Sequence, residues 1–162
     1  MKNYIGTKII NASPMTRLAY NQLRGWMLPA NENCDDAGYL VEYVDGGKPN
    51  LDGYAGYVSW SPAAQFDNAY RETSGLTFGL AIEALKKGYK VARAGWNGKG
   101  MFVYYVPANA YPAQTAIAKS HFGEDALVPY NASCAIKNVD ETVSTWVPSV
   151  NDCLSEDWMV LP

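Results

Sequence analysis

The stretch LTFGLAIEALKKGYKVARAGWNGKGMFVYYVP, residues 76–107, decides the architecture of this chain. Thr77 stands where an N-cap belongs. Phe78, Ala81, Ile82 and Leu85 recur on one helical face, and Gly88 supplies a stop, so a helix is predicted through FGLAIEALKK (78–87). YKVARA (89–94) and MFVYYV (101–106) are strand-like runs on either side of GWNGKG (95–100), which predicts a β-hairpin with a glycine-rich loop. A helix followed by an antiparallel hairpin points to the α+β class.

Downstream, residues 107–129 read as loop and contain the single histidine, His121. ASCAIKNVD (132–140), ETVSTWVPS (141–149) and DWMVLP (157–162) then predict further strands separated by turns. Upstream, GYLVEYV (38–44) and GYVSWS (56–61) predict strands joined by the turn-rich DGGKPN (45–50). Short helices are expected over 16–24 and 63–70, with Ser61 as N-cap and Pro62 in the first turn of the second. The polar, glycine-containing ETSGL (72–76) is the natural junction between them. The expectation is a small α+β module at residues 1–72, followed by a helix plus antiparallel β-sheet domain at residues 73–162.

Composition bounds the function. With 162 residues, 48% hydrophobic and 18% charged, the chain can bury a core. Its longest apolar runs fall far short of the roughly 20 residues that span a bilayer, and no secretory leader is evident, so a cytoplasmic location is expected. The net charge of −3 argues against a nucleic-acid polymer as partner. Yet residues 84–123 hold no Asp or Glu, while Lys86, Lys87, Lys90, Arg93, Lys99 and Lys119 lie there. A local positive face in an acidic protein suits a small anion better than a long polyanion. A solvated lysine surface at a helix end is the alternative.

Catalytic chemistry is poorly supplied. A lone His121 without a G-x-S-x-G elbow gives no nucleophilic triad. Cys34, Cys134 and Cys153 are scattered and odd in number, which suits neither zinc nor a disulfide framework and reads as buried small hydrophobes. The adjacent carboxylates Asp35/Asp36, Glu124/Asp125 and Glu156/Asp157 are the kind that solvent usually covers. Neither metal nor cofactor is expected, and the chain reads as a non-enzyme.

Binding chemistry is better supplied. In the 95–100 loop, glycines allow close backbone approach, Trp96 offers a stacking face, Asn97 a donor and an acceptor, and Lys99 a point charge for phosphate. Trp146 precedes the Pro148–Ser149 turn and could add a second aromatic surface. Tryptophan is mostly buried, so composition favours a core reading of Trp96, Trp146 and Trp158, which their position beside turns weakens.

The run over 76–107, followed by WVPSVNDCLSEDWMVL (146–161), closely resembles the second-type Thoeris anti-defence family of phages. Helix, GWNGKGM hairpin, tryptophan-Pro-Ser turn and terminal Asp-Trp strand occur in the family's order. The resemblance implies a molecular sponge: a homotetramer that binds cyclic ADP-ribose isomers, the infection signals of bacterial TIR-domain enzymes, and holds them uncleaved in a pocket shared between protomers. It also implies cyclic dinucleotides as further ligands at separate sites. Carried over by motif, the pocket candidates are Arg93, Trp96, Asn97, Gly98, Lys99 and Met101 around the hairpin, with Trp146, Ser149 and Asp152 at the later turn.

Residues 4–71, with YIGTKIINA, RGW, GYLVEYVDGGKPN and GYVSWSP, resemble a small module that recurs in phage proteins without a known activity. Two other functions compete. One is an enzyme that degrades the same signals using His121 or the Glu156/Asp157 pair. The other is a phage structural or interaction module, suggested by the tyrosine-rich N-terminal section.

Overall fold

A computed structural model describes residues 1–162. The chain forms two compact units, Met1–Arg71 and Glu72–Pro162.

In the first unit, β1 (Asn11–Pro14), β2 (Gly38–Tyr43) and β3 (Tyr57–Pro62) form an antiparallel sheet in the order β1-β2-β3, with α1 (Arg17–Arg24) after β1 and α2 (Ala63–Ala69) after β3. Tyr20, Leu40 and Val58 make its core, with Met15, Tyr54 and Trp60 packed around them. Loops are pinned by polar side chains. Asn50 accepts from the Val58 N–H at 2.7 Å and donates to its carbonyl at 2.9 Å, while Glu42 accepts from the Ala55 and Gly56 amides. Strand β1 escaped the sequence reading because NASP has no apolar alternation. It sits at a sheet edge, where a terminal proline costs no ladder bond. Pro62, not Ser61, occupies the N-cap position of α2, one residue later than expected, and no side chain caps that helix.

In the second unit the predicted helix is α3 (Phe78–Lys86) and the predicted hairpin is β4 (Lys90–Arg93) with β5 (Phe102–Val106). Gly88 ends the helix at φ +88°, a conformation that favours glycine, whereas Thr77 holds the N-cap position without a side-chain capping bond. Next come β6 (Asn109–Pro112), α4 (Ala116–Phe122), β7 (Leu127–Tyr130), β8 (Ser133–Lys137), β9 (Val143–Trp146), α5 (Val150–Leu154) and β10 (Trp158–Leu161). Five strands build one antiparallel sheet in the order β10-β4-β5-β8-β9.

The register places Val91, Val103 and Ile136 side by side, and α3 lays Ala81, Ala84 and Leu85 over them beside Leu76 and Trp158. This buried set is the core of the unit. Fully burying side chains of this size stabilises by about 1.5–3 kcal/mol each for Val and Leu.

Two expectations change here. Residues 107–129 are not a plain loop: β6 and β7 pair as a two-stranded ribbon around α4, and Thr115 caps that helix by accepting from the Ala118 N–H. Pro112 and Pro129 disguised the strands, but a two-stranded ribbon consists only of edges and tolerates them. His121 accordingly lies on α4, edge-on to Phe122, rather than in a loop. Within the ETSGL junction, Leu76 exchanges backbone hydrogen bonds with Trp158 and the Thr73 carbonyl accepts from Val160. Finally, the cysteines are not buried: Cys34 and Cys134 are partly exposed and Cys153 is exposed. No helix is long and apolar enough to cross a membrane.

Candidate functional site

Strand β10 runs antiparallel to β4 with Trp158 opposite Arg93, so the start of β10 and the start of the 95–100 loop are neighbours. Trp158 is fully buried, and its indole N–H donates to the Asp152 carbonyl at 2.9 Å. Around it stand Phe78, tilted at 44° with centroids 5.6 Å apart, and, at steep angles, Trp96 at 5.5 Å and Trp146 at 5.9 Å. Such edge-to-face arrangements are the favoured geometry for aromatic rings. Trp96 and Trp146 also meet each other edge-on at 6.5 Å, and both are partly buried against the core. Both therefore pack on the core, as the burial tendency of tryptophan suggests.

A polar network braces this cluster. Asp152 occupies the third position of α5 and closes a capping box with Ser149: the Ser149 hydroxyl accepts from the Asp152 N–H, and the Ser149 N–H and hydroxyl both donate to Asp152 Oδ2. Its other oxygen, Oδ1, accepts from Arg93 Nη1 at 2.9 Å and from the Trp96 indole N–H at 3.3 Å. Burial by itself would push this carboxyl up, but the bonds from Ser149, Arg93 and Trp96 outweigh it and hold the pKa at about 2. Arg93 is shared with a second carboxylate, Asp157, through Nε at 2.8 Å. Asp157 is lowered too, chiefly by Arg93, and Arg93 is raised by its two acidic partners.

The structure brings Arg93, Trp96, Trp146, Ser149 and Asp152 into one connected assembly. The rest of the loop is placed differently. Gly98 has its Cα face against the Met101 thioether and Val139, where a Cβ would collide, and Met101 packs on the core. Asn97 and Lys99 are exposed at the loop tip. Of the cations in the acid-free stretch, Lys86 meets Glu83, Lys119 meets Glu124 and Arg93 meets Asp152 and Asp157. Half of the six cations expected to form a positive face are thus paired with carboxylates from outside the stretch.

The network also contains Asp157, which sequence reasoning grouped only with Glu156 as a carboxylate pair. The signal available was its position directly before Trp158, at the start of the strand that pairs with the Arg93 strand. The S-x-x-D spacing of Ser149 and Asp152 likewise announces a helix start, but VNDCL was read as turn. A shallow concavity on α4, lined by Ala116, Ile117, Ser120 and His121, involves none of the motif residues. No group of three or more His, Cys, Asp or Glu is placed to hold a metal ion.

The second unit is thus a helix-on-sheet module that presents a braced aromatic cluster beside a glycine-rich loop. A family model described as Thoeris anti-defense 2-like matches residues 76–161, and the Thoeris anti-defense 2 protein of Bacillus phage SP01 is 38% identical over 87 residues, 53% of this chain and 94% of that protein. The chain belongs to the Thoeris anti-defense 2-like family.

Proposed function

We propose that this protein counters Thoeris defence by sequestering cyclic ADP-ribose-type signalling nucleotides in the domain of residues 73–162, without cleaving them. The observation that carries this reading is the Trp96–Trp146 pair, partly buried against the core beside a loop whose tip presents Asn97 and Lys99. An adenine ring stacked on indole gains about 1–3 kcal/mol, and a pyrophosphate gains charge-assisted hydrogen bonds from an ammonium and from backbone N–H groups. In this reading Trp96 and Trp146 form the wall, backed by Met101. Asn97, Gly98 and Lys99 meet the phosphates, and Arg93, Ser149 and Asp152 hold the wall in place. A sponge must outcompete the effector it starves, and a preformed site lowers the ordering cost of capture.

The same reading includes a cytoplasmic homotetramer with the pocket shared between protomers. Exposed Val147, Val150 and Leu154 beside Trp146, with half-buried Phe102, Tyr104 and Met159 on the sheet face opposite Val103, are apolar surface that self-association would cover. Cyclic dinucleotides, if bound, occupy a separate site. Native mass spectrometry of protein purified from cells making the signals tests the proposal, with ligand recovered at unaltered mass from a tetramer as the expected result. Recovery of a product of different mass would replace sequestration by catalysis. A protein carrying no nucleotide would leave a phage structural module as the better account.

A further inference from the structure

Asp157 is the least expected member of the site. Its carboxylate reaches both sides of the bend at which β4 becomes the 95–100 loop. Oδ1 accepts from Arg93 Nε at 2.8 Å, and Oδ2 accepts from the Gly95 N–H at 2.8 Å and, at 3.5 Å, from Arg93 Nη2. Its own carbonyl accepts from the Ala94 N–H at 3.0 Å, so residues 93, 94 and 95 are all tied to this one residue. Space is equally committed: a Cβ on Gly95 would fall 2.8 Å from Asp157 Oδ2 and 3.6 Å from Arg93 Nη2. The far end of the loop is fixed independently, by Lys137 Nζ donating to the Gly100 carbonyl at 3.3 Å and by Gly98 lying against Val139. Only the stretch carrying Trp96, Asn97 and Lys99 lies between these anchors.

We infer that Asp157 is a positioning residue: by gripping Arg93 and the Gly95 amide together, it sets the loop in the form that presents Trp96, Asn97 and Lys99 to the ligand. The ligand half of this inference rests on the sequestration reading, and the loop half does not. Both oxygens and the charge are needed. In Asp157→Asn one oxygen becomes an NH2 group, which must face either the Gly95 N–H or the Arg93 guanidinium, donor against donor. In Asp157→Glu the carboxylate is retained on a longer stem and can recover part of the grip.

The test uses the full chain, amide hydrogen exchange and titration with cyclic ADP-ribose isomers. In the wild type the Gly95 amide is protected. Asp157→Asn speeds its exchange at least about tenfold, the loss of one hydrogen bond to a charged acceptor, and weakens affinity by a similar factor. Exchange at Val91 and Val103 stays unchanged. Asp157→Glu restores part of both effects. Gly95→Ala, which pushes on the same carboxylate from the other side, reproduces the affinity loss and decides the matter if Asp157→Asn fails to fold. Unchanged Gly95 exchange in Asp157→Asn overturns the inference, and so does a deprotected loop that binds as tightly as the wild type. A wild-type protein that binds no nucleotide overturns sequestration alone, and the Gly95 amide then still decides whether Asp157 sets the loop.

Discussion

Trp96 stands edge-on to the fully buried Trp158, with ring centroids 5.5 Å apart and planes at 76°. In the sequestration reading, one side chain therefore closes the core and also meets the ligand.

The first prediction follows from that double role. Trp96→Ala should destabilise the second unit by about 2–3 kcal/mol, less than the loss for a fully buried tryptophan because the residue is only partly buried. Independently, affinity for cyclic ADP-ribose isomers should fall in the folded fraction by roughly 5- to 150-fold, the loss of one stacking contact. Thermal midpoint and titration of the same mutant separate the two. Normal binding by the folded fraction would sink the stacking role, and an unchanged midpoint would sink the packing role.

A second prediction concerns Asp152 and acid. Its folded pKa of about 2 lies below the ordinary 3.8, so it contributes stability that is fully present above pH 3.8 and is lost as pH falls through 2. The difference corresponds to about 2 kcal/mol, and Asp157, lowered in the same direction, adds to it. Denaturant titrations from pH 6 to pH 2 should show Asp152→Asn markedly less stable than wild type at neutral pH and the two curves converging toward pH 2. Parallel curves across that range would mean that the Asp152 charge does not brace the cluster.

Gly98 gives a third prediction. Because a Cβ there collides with Met101 and sits 2.8 Å from Val139, Gly98→Ala should cost about 1–3 kcal/mol through overpacking. Gly98→Ala combined with Met101→Ala should recover part of that loss, since the thioether is the nearest obstacle. Purely additive losses in this double mutant, measured by chemical denaturation, would contradict the packing account.

The sequence disclosed most of the second unit and less of its site. Helix α3 and the β4–β5 hairpin were legible because their side-chain periods are unambiguous and glycines mark their ends. The β6–α4–β7 insertion was not, because proline lies in both strands and the helix is short and buries no residue. At the site, Trp96, Trp146 and Asp152 could be nominated from residue type and resemblance. What a linear sequence hides is commitment: Asp152 spends both oxygens on Ser149, Arg93 and Trp96, and Arg93 is held between two carboxylates. Those partners lie some sixty residues apart in the chain and meet only because β10 pairs with β4.

The last prediction isolates Lys99, exposed at the loop tip. Its removal should leave folding alone, with Lys99→Ala within about 0.5 kcal/mol of wild type, because surface substitutions away from packed or capped positions rarely do more. Binding should behave differently. An ammonium meeting a phosphate contributes a charge-assisted hydrogen bond, so Lys99→Ala should lose roughly 5- to 30-fold in affinity at low salt. The Debye length falls from about 10 Å at 0.1 M to about 3 Å at 1 M ionic strength, so salt weakens the wild type more than the mutant and the gap between them narrows. Lys99→Arg keeps the charge and should keep most of the affinity and its salt dependence. Isothermal titrations at several salt concentrations decide it. If the arginine variant loses as much as the alanine variant, or if the alanine loss is the same at every ionic strength, Lys99 does not meet the phosphate.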